Sequence, residues 1–355
     1  MLRELVASRP QGPAPKPENL VIGRPTPLFR LTFPFFAMLN VYSPAHDLLP
    51  PGSDPPGAAL LSAPASAARP VRYPSPPPGL RLLRLQLGVL RRLAPAVAFR
   101  RTWRLFCTPR RLPRKAWEAA VLAQARTYTV AHSTGPVAVY EWGAASQPAV
   151  VLVHGWEHRA SFWGAWVGPL RAAGFRVIAL DGPAHGASAG RQVDLVGFGQ
   201  AVAAVLASAG AVRAVVAHSF GAASVAGLPV RLPGAGVLPR LALLSAPLSP
   251  LEVAGRFADL LGQPGSLVAR MSRHIEQQTG REARSFAAAA AGPTLGAEQV
   301  LIVHDEDDEI VPFAEGQQIA AAWPGARLYA TRGLGHNRIL RDAQVVRQVV
   351  AFVAA

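Results

Sequence analysis

The chain of 355 residues is half hydrophobic and carries 36 Lys+Arg against 21 Asp+Glu, a formal net charge of +15. This size and apolar content suit one large α/β domain with extra material, or two modest domains; Cys107 is the single cysteine, which excludes any intrachain disulfide. The charge is lopsided, with 18 basic against 5 acidic residues over 1–118 and 18 against 16 over 119–355, so a nucleic-acid-binding role has no basic footprint beyond the first third.

Residues 1–79 hold 18 of the 34 prolines and show no sustained period. They are expected to be either a disordered extension or the product of a start site placed too early. No signal-peptide order of basic, apolar and small residues is present, and the apolar run 28–42 is broken by Arg30 and Pro34, too short to span a bilayer. With the lone cysteine, this predicts a cytoplasmic location. Residues 80–124 read as a basic amphipathic helical segment. Leu82, Leu83, Leu87, Leu90, Leu93 and Val97 recur at near-helical spacing, and eleven Lys/Arg lie between Arg81 and Lys115 with no acid among them. Pro95 is expected to kink or divide the helix. Two readings stay open: peripheral contact with a membrane surface through 80–115, or a helix lying across the next domain with its arginines solvated or paired.

From 125 to 355 the pattern is regular. Short apolar runs at 127–130, 137–141, 149–154, 175–180, 214–217, 241–245, 300–304 and 327–330 predict strands. Amphipathic stretches at 161–173, 194–209, 222–228, 313–322 and 343–353 predict helices. The short polar link containing Gly135 suggests an opening hairpin, and the later alternation calls for a mostly parallel sheet flanked by helices. Strands apolar on consecutive residues are those covered on both faces. At about 247–298 the alternation pauses, and the segment reads as an inserted helical cap, with Leu260, Leu261, Val268 and Met271 lining a pocket or packing the cap down.

The stretch Val215-Val216-Ala217-His218-Ser219-Phe220-Gly221-Ala222 runs from an apolar strand through a serine flanked by small residues into an Ala-rich segment. That is the strand–turn–helix form of a nucleophile elbow, G-x-S-x-G with Ala217 at the first position. Ligands of open α/β sheets sit at the carboxyl ends of strands, and His154, Asp181, Ser219, the acidic cluster from Asp305 to Glu309, and His336 all follow such ends.

Together these pieces resemble the α/β-hydrolase fold superfamily. The matching stretches are His154-Gly155-Trp156, Asp181 through Ser188, the elbow at Ser219, His304 through Pro312, and Gly333 through Arg338, in order over about 125–355. The resemblance implies Ser219 as nucleophile, Asp308 as acid and His336 as base, and an oxyanion hole from the backbone N–H groups of Trp156 and Phe220. The chemistry is consistent. A serine hydroxyl is a poor nucleophile until a base takes its proton, imidazole takes and returns protons near neutral pH, and a carboxylate orients that imidazole. Asp305 and Asp307 are alternative acids or solvated loop charges, and Glu309 is expected to face solvent. His154 and His185 read as structural histidines, Asp181 as closing its own turn, His218 as part of the site wall, and His274 as a surface residue. Beyond the acidic cluster, which could mimic a calcium loop but lacks the D-x-D-x-D-G pattern, no metal-ligand spacing occurs, and there is no phosphate-cradling G-x-x-x-x-G-K-[ST], so neither cofactor nor metal is expected.

The expectation is a serine hydrolase that acts on a small-molecule carboxylic ester or related acyl compound through an acyl-enzyme. Two alternatives are a non-catalytic binding or scaffold protein on the same fold, and an acyltransferase or perhydrolase with the same triad.

Overall fold

A computed structural model describes residues 78–228, 238–291 and 297–355, all within the unit Phe33–Ala355. The expectation for 1–79 lies outside these residues except for Pro78 and Gly79, which open the first helix. The eight expected strands are all present: β1 (Arg126–Val130), β2 (Val137–Trp142), β3 (Ala149–Val153), β4 (Arg176–Leu180), β5 (Val212–His218), β6 (Arg240–Leu244), β7 (Gln299–Asp305) and β8 (Arg327–Thr331). They form one sheet in the order β1-β2-β4-β3-β5-β6-β7-β8. β1 and β2 form the antiparallel hairpin, β2 pairs antiparallel with β4, and all further pairings are parallel.

The strands are apolar on both sides because both sides are covered. On one side Val151, Val153, Leu241 and Leu243 pack with Phe198, Val202 and Ile319. On the other Val150, Leu152, Ala242 and Leu244 pack with Trp163, Trp166, Val349 and Phe352. The expected helices follow closely, as Gly164–Ala172, Leu195–Ser208, Phe220–Ala226, Phe313–Ala322 and Ala343–Ala354. A 3-10 turn, Ala160–Trp163, precedes the first of them, and Asp194 caps the second by accepting from the Gly197 N–H at 2.8 Å.

The front segment divides at Pro95, as its ring requires. Helix α1 (Pro78–Leu93) ends before it and α2 (Pro95–Phe106) starts on it, where a missing N–H costs nothing. Leu82, Leu93 and Val97 are exposed, and the buried face is Leu80, Leu83 and Leu87. That face packs on Ala254, Phe257, Leu261 and Met271. These come from Pro250–Leu260, Ser266–Thr279 and the turn between them, within the inserted segment. The stretch after α2 is fastened by charge-assisted bonds. Arg110 forks onto Glu157 (Nη2 to Oε2 2.9 Å), Arg111 donates to the carbonyls of Ala184, Ser188 and Gly190, and Arg159 pairs with buried Glu118 at 3.2 Å. No described helix is long and apolar enough to cross a membrane.

Candidate active site

The elbow is built by close approach of backbones. Between β5 and the helix Phe220–Ala226, Ser219 sits at φ 52°, ψ −120°, left-handed backbone that a non-glycine residue adopts only when its surroundings hold it there. Its N–H donates to the Leu244 carbonyl at 2.9 Å. Gly221 lets the helix start press on β3: a Cβ there would lie 2.4 Å from the His154 oxygen and 2.8 Å from the Val153 oxygen. Gly155 is pressed from the other side, its hypothetical Cβ 3.1 Å from Ser219 Cβ.

The three implied residues meet. His336, on the short helix Gly335–Arg338, has Nε2 2.9 Å from Ser219 Oγ, and its Nδ1 donates to Asp308 Oδ2 at 2.8 Å. All three are buried. Asp308 Oδ1 also accepts from the Ile310 and Val311 amides at 2.9 and 2.8 Å. Burial pushes its carboxyl up, but His336's charge and hydrogen bond, then His304's charge and the Val311 amide, outweigh this and hold it at about 2. It is a carboxylate throughout the neutral range.

Asp305 has a different role from either expectation. Its carboxylate is fully buried and accepts from Thr331 Oγ1 at 2.7 Å and from the amides of Gly335, Leu334 and Asp307 at 2.9–3.0 Å. It anchors the loop that carries His336 and does not touch the imidazole. Asp307 stays exposed and holds the Gly333 N–H at 3.0 Å; Glu309 is exposed yet accepts from the His336 N–H at 3.2 Å.

His154 is held by backbone groups at both ring nitrogens: Nδ1 donates to the Gly155 carbonyl (2.7 Å) and Nε2 accepts from the Gly182 N–H (2.8 Å). Asp181 closes its turn through the Ala187 N–H and also reaches the Ala160 N–H and Tyr140 hydroxyl. His218 donates Nε2–H to the His336 carbonyl at 3.0 Å and stacks at 5° on His158, a residue the sequence did not single out. Burial first, then the charges of neighbouring histidines, lowers both, His218 to about 3, so both are neutral. His274 is not a free surface residue: it stands edge-on to Phe99 and Trp103, at 5.3 and 4.6 Å. Burial, then Asp194's charge, raises the Cys107 thiol, which is therefore no rival nucleophile.

Phe220 is the first residue of its helix, so its N–H has no intrahelical acceptor. Trp156 follows Gly155 against the elbow, its ring edge-on to Phe220 at 4.9 Å. Two chambers open on Ser219. One, of about 1030 Å³ of atom-free space partly open to solvent, is apolar, walled by Trp103, Phe106, Val253, Met271, Ile275 and Phe286 among others. The other, of about 980 Å³, includes His158, Arg110, Arg338 and Arg341. The aromatic wall from α2 carried no sequence signal, because helical spacing does not say which domain a helix lies on. Among the described residues no three His, Cys, Asp or Glu side chains are grouped to hold a metal ion.

Comparison with known proteins bears on the family and the fold. A family model described as the alpha/beta hydrolase family matches residues 150–349. The bifunctional esterase/perhydrolase DCH of Acinetobacter calcoaceticus is 26% identical over 266 residues, covering 60% of this chain and 94% of that protein. A bacterial membrane phospholipase A superposes with a TM-score of 0.50 at 19% identity, covering 78% of this chain and 96% of that one. A candidate lipase from Acinetobacter baumannii AYE does so with a TM-score of 0.50 at 16% identity, covering 68% and 97%. At such identities the two structures bear on the fold alone.

Proposed function

The chain belongs to the alpha/beta hydrolase family, and within it we propose a serine hydrolase that cleaves a carboxylic ester or related acyl substrate through an acyl-enzyme on Ser219. The carrying observation is the relay from Asp308 to His336 Nδ1 and from His336 Nε2 to Ser219 Oγ, at 2.8 and 2.9 Å. As Ser219 Oγ attacks the acyl carbon, His336 takes the hydroxyl proton, and Asp308 stabilises the resulting imidazolium without being protonated. The oxyanion accepts from the N–H groups of Trp156 and Phe220, each donor contributing about 3–4 kcal/mol to the transition state. Collapse breaks the bond to the leaving group, which receives the proton from His336. A water, deprotonated by the same imidazole, then attacks the acyl-enzyme and releases the acid and Ser219.

The apolar chamber beside Ser219 supports an acyl moiety with a hydrocarbon chain, since burying each CH₂ there contributes about 0.8 kcal/mol. Two assays test the reading together: labelling by a fluorophosphonate probe, and hydrolysis of p-nitrophenyl esters by Ser219→Ala. Both signals are expected to vanish in the variant while its thermal melt is retained. A wild-type protein that is folded but inert to the probe would establish an idle site and a binding or scaffold role. Resemblance to DCH favours a second reaction of the same triad, in which peroxide replaces water as acceptor. Peracid formation from an ester and hydrogen peroxide, absent in Ser219→Ala, is its measurement.

A further inference from the structure

Helix α1 is apolar on two faces. The inner one is consumed by the packing described above. The outer one is formed by Leu82, Leu85, Val89 and Leu93, and Val97 continues it onto α2; these five are between 42% and 80% exposed. At 100° per residue the four α1 positions fall within an arc of about 80°. The described residues contain seven large exposed hydrophobics, and these are five of them, so the exposure is a stripe and not scatter. Arg81 and Arg92 lie within about 40° of one edge on the helix wheel, and exposed Arg101 donates to Gln86, about 20° from the other edge, at 3.2 Å.

We propose that this outward face of α1 and α2 docks on an anionic lipid bilayer. An apolar stripe bordered by arginines matches an interface whose interior is hydrocarbon and whose headgroups are negative. Charge decides against the other occupants. A second copy docked on the same face would set the exposed Arg92 and Arg101, with no acid between residues 81 and 115, against their own equivalents. Residues 1–77 carry seven Lys/Arg against four Asp/Glu, so their net charge has the same sign as the arginines that border the stripe. The docking carries a consequence that rests on the proposed hydrolase reading: α2 also supplies Trp103 and Phe106 to the apolar chamber at Ser219, so a docked chain holds that chamber beside lipid-dissolved acyl substrates.

Co-sedimentation of the full chain with vesicles of phosphatidylcholine, and of phosphatidylcholine mixed equally with phosphatidylglycerol, tests the docking independently of any activity. Binding is expected on the mixed vesicles, weakened by salt and at least about tenfold weaker on phosphatidylcholine alone. The triple variant Leu85→Gln, Val89→Gln, Leu93→Gln is expected to lose at least about tenfold in binding with an unchanged melt. Three results overturn the proposal: no binding of the full chain to the mixed vesicles, equal binding by the triple variant, or a wild-type dimer in solution that the variant converts to a monomer. If the vesicles bind but Ser219 proves inert, the docking stands and the hydrolase reading falls.

Discussion

Replacing Asp305 by Ala removes the carboxylate under the His336 loop and leaves the three triad residues chemically unaltered. Four donors lose their acceptor: Thr331 Oγ1 and the amides of Gly335, Leu334 and Asp307. Thr331 and Gly335 are buried, so their groups have no water to turn to, while Asp307 is exposed and Leu334 half-buried. Stranding a buried donor costs about 1–3 kcal/mol, which gives about 2–6 kcal/mol for the two. That is a large part of the 5–15 kcal/mol that typically separates a folded protein from its unfolded chain. Because Gly335 immediately precedes His336, the same loosening misplaces the imidazole relative to Ser219. Urea unfolding gives the stability change, and kcat on a soluble p-nitrophenyl ester the functional one; both are expected to fall, with fluorophosphonate labelling slowed in parallel. An unfolding free energy within about 0.5 kcal/mol of wild type, below the cost of one stranded donor, together with an unchanged kcat, would refute the anchoring role.

Gly221→Ala sets a methyl against two backbone carbonyl oxygens, that of Val153 at the end of β3 and that of His154 just beyond it. We expect a loss at the upper end of the 1–3 kcal/mol range for overpacking, a melting temperature lower by about 6–12 °C; an unshifted melt contradicts the close approach. Stability should also fall in acid. Burial holds His154, His158, His185, His218 and His304 below the ordinary imidazole value of 6.5, His218 at about 3. The unfolded chain therefore binds more protons below pH 6.5, and each such histidine steepens the loss by up to about 1.4 kcal/mol per pH unit. Asp308 adds a second loss as pH falls from its ordinary value of 3.8 toward about 2. Urea midpoints measured from pH 7.5 to 5 should decline, less steeply in His218→Gln; a flat profile rules out neutral buried imidazoles. Ile275→Trp fills part of the apolar chamber and should lower kcat/KM for octanoyl esters at least about tenfold, or about 1.4 kcal/mol, while acetyl esters change little; equal losses on both would show that acyl chains bind elsewhere.

The local order of apolar and small residues determined much of this molecule. Strands covered on both faces must be apolar at every position, which is why β3 and β6 are legible as Ala149-Val-Val-Leu-Val153 and Arg240-Leu-Ala-Leu-Leu244. An elbow must have small neighbours around its serine, which is why Ser219 is legible. Asp308 and His336 were visible because short loop stretches resemble a known family. What the tertiary structure alone decided depends on partners distant along the chain. Asp305 and Asp308 are three residues apart and chemically identical. One becomes the loop anchor and the other the partner of His336 because β8 pairs beside β7 and brings Thr331 and Gly335 over the first. The same holds for α1, where two apolar stripes satisfy one helical period equally well. Contact with Phe257 and Met271, more than 150 residues away, selects Leu80, Leu83 and Leu87 as the inner face and leaves the other stripe to solvent. Helical and strand periods act over a few residues; the choice among equivalent faces and equivalent carboxylates is made by packing between segments that only the closed fold brings together.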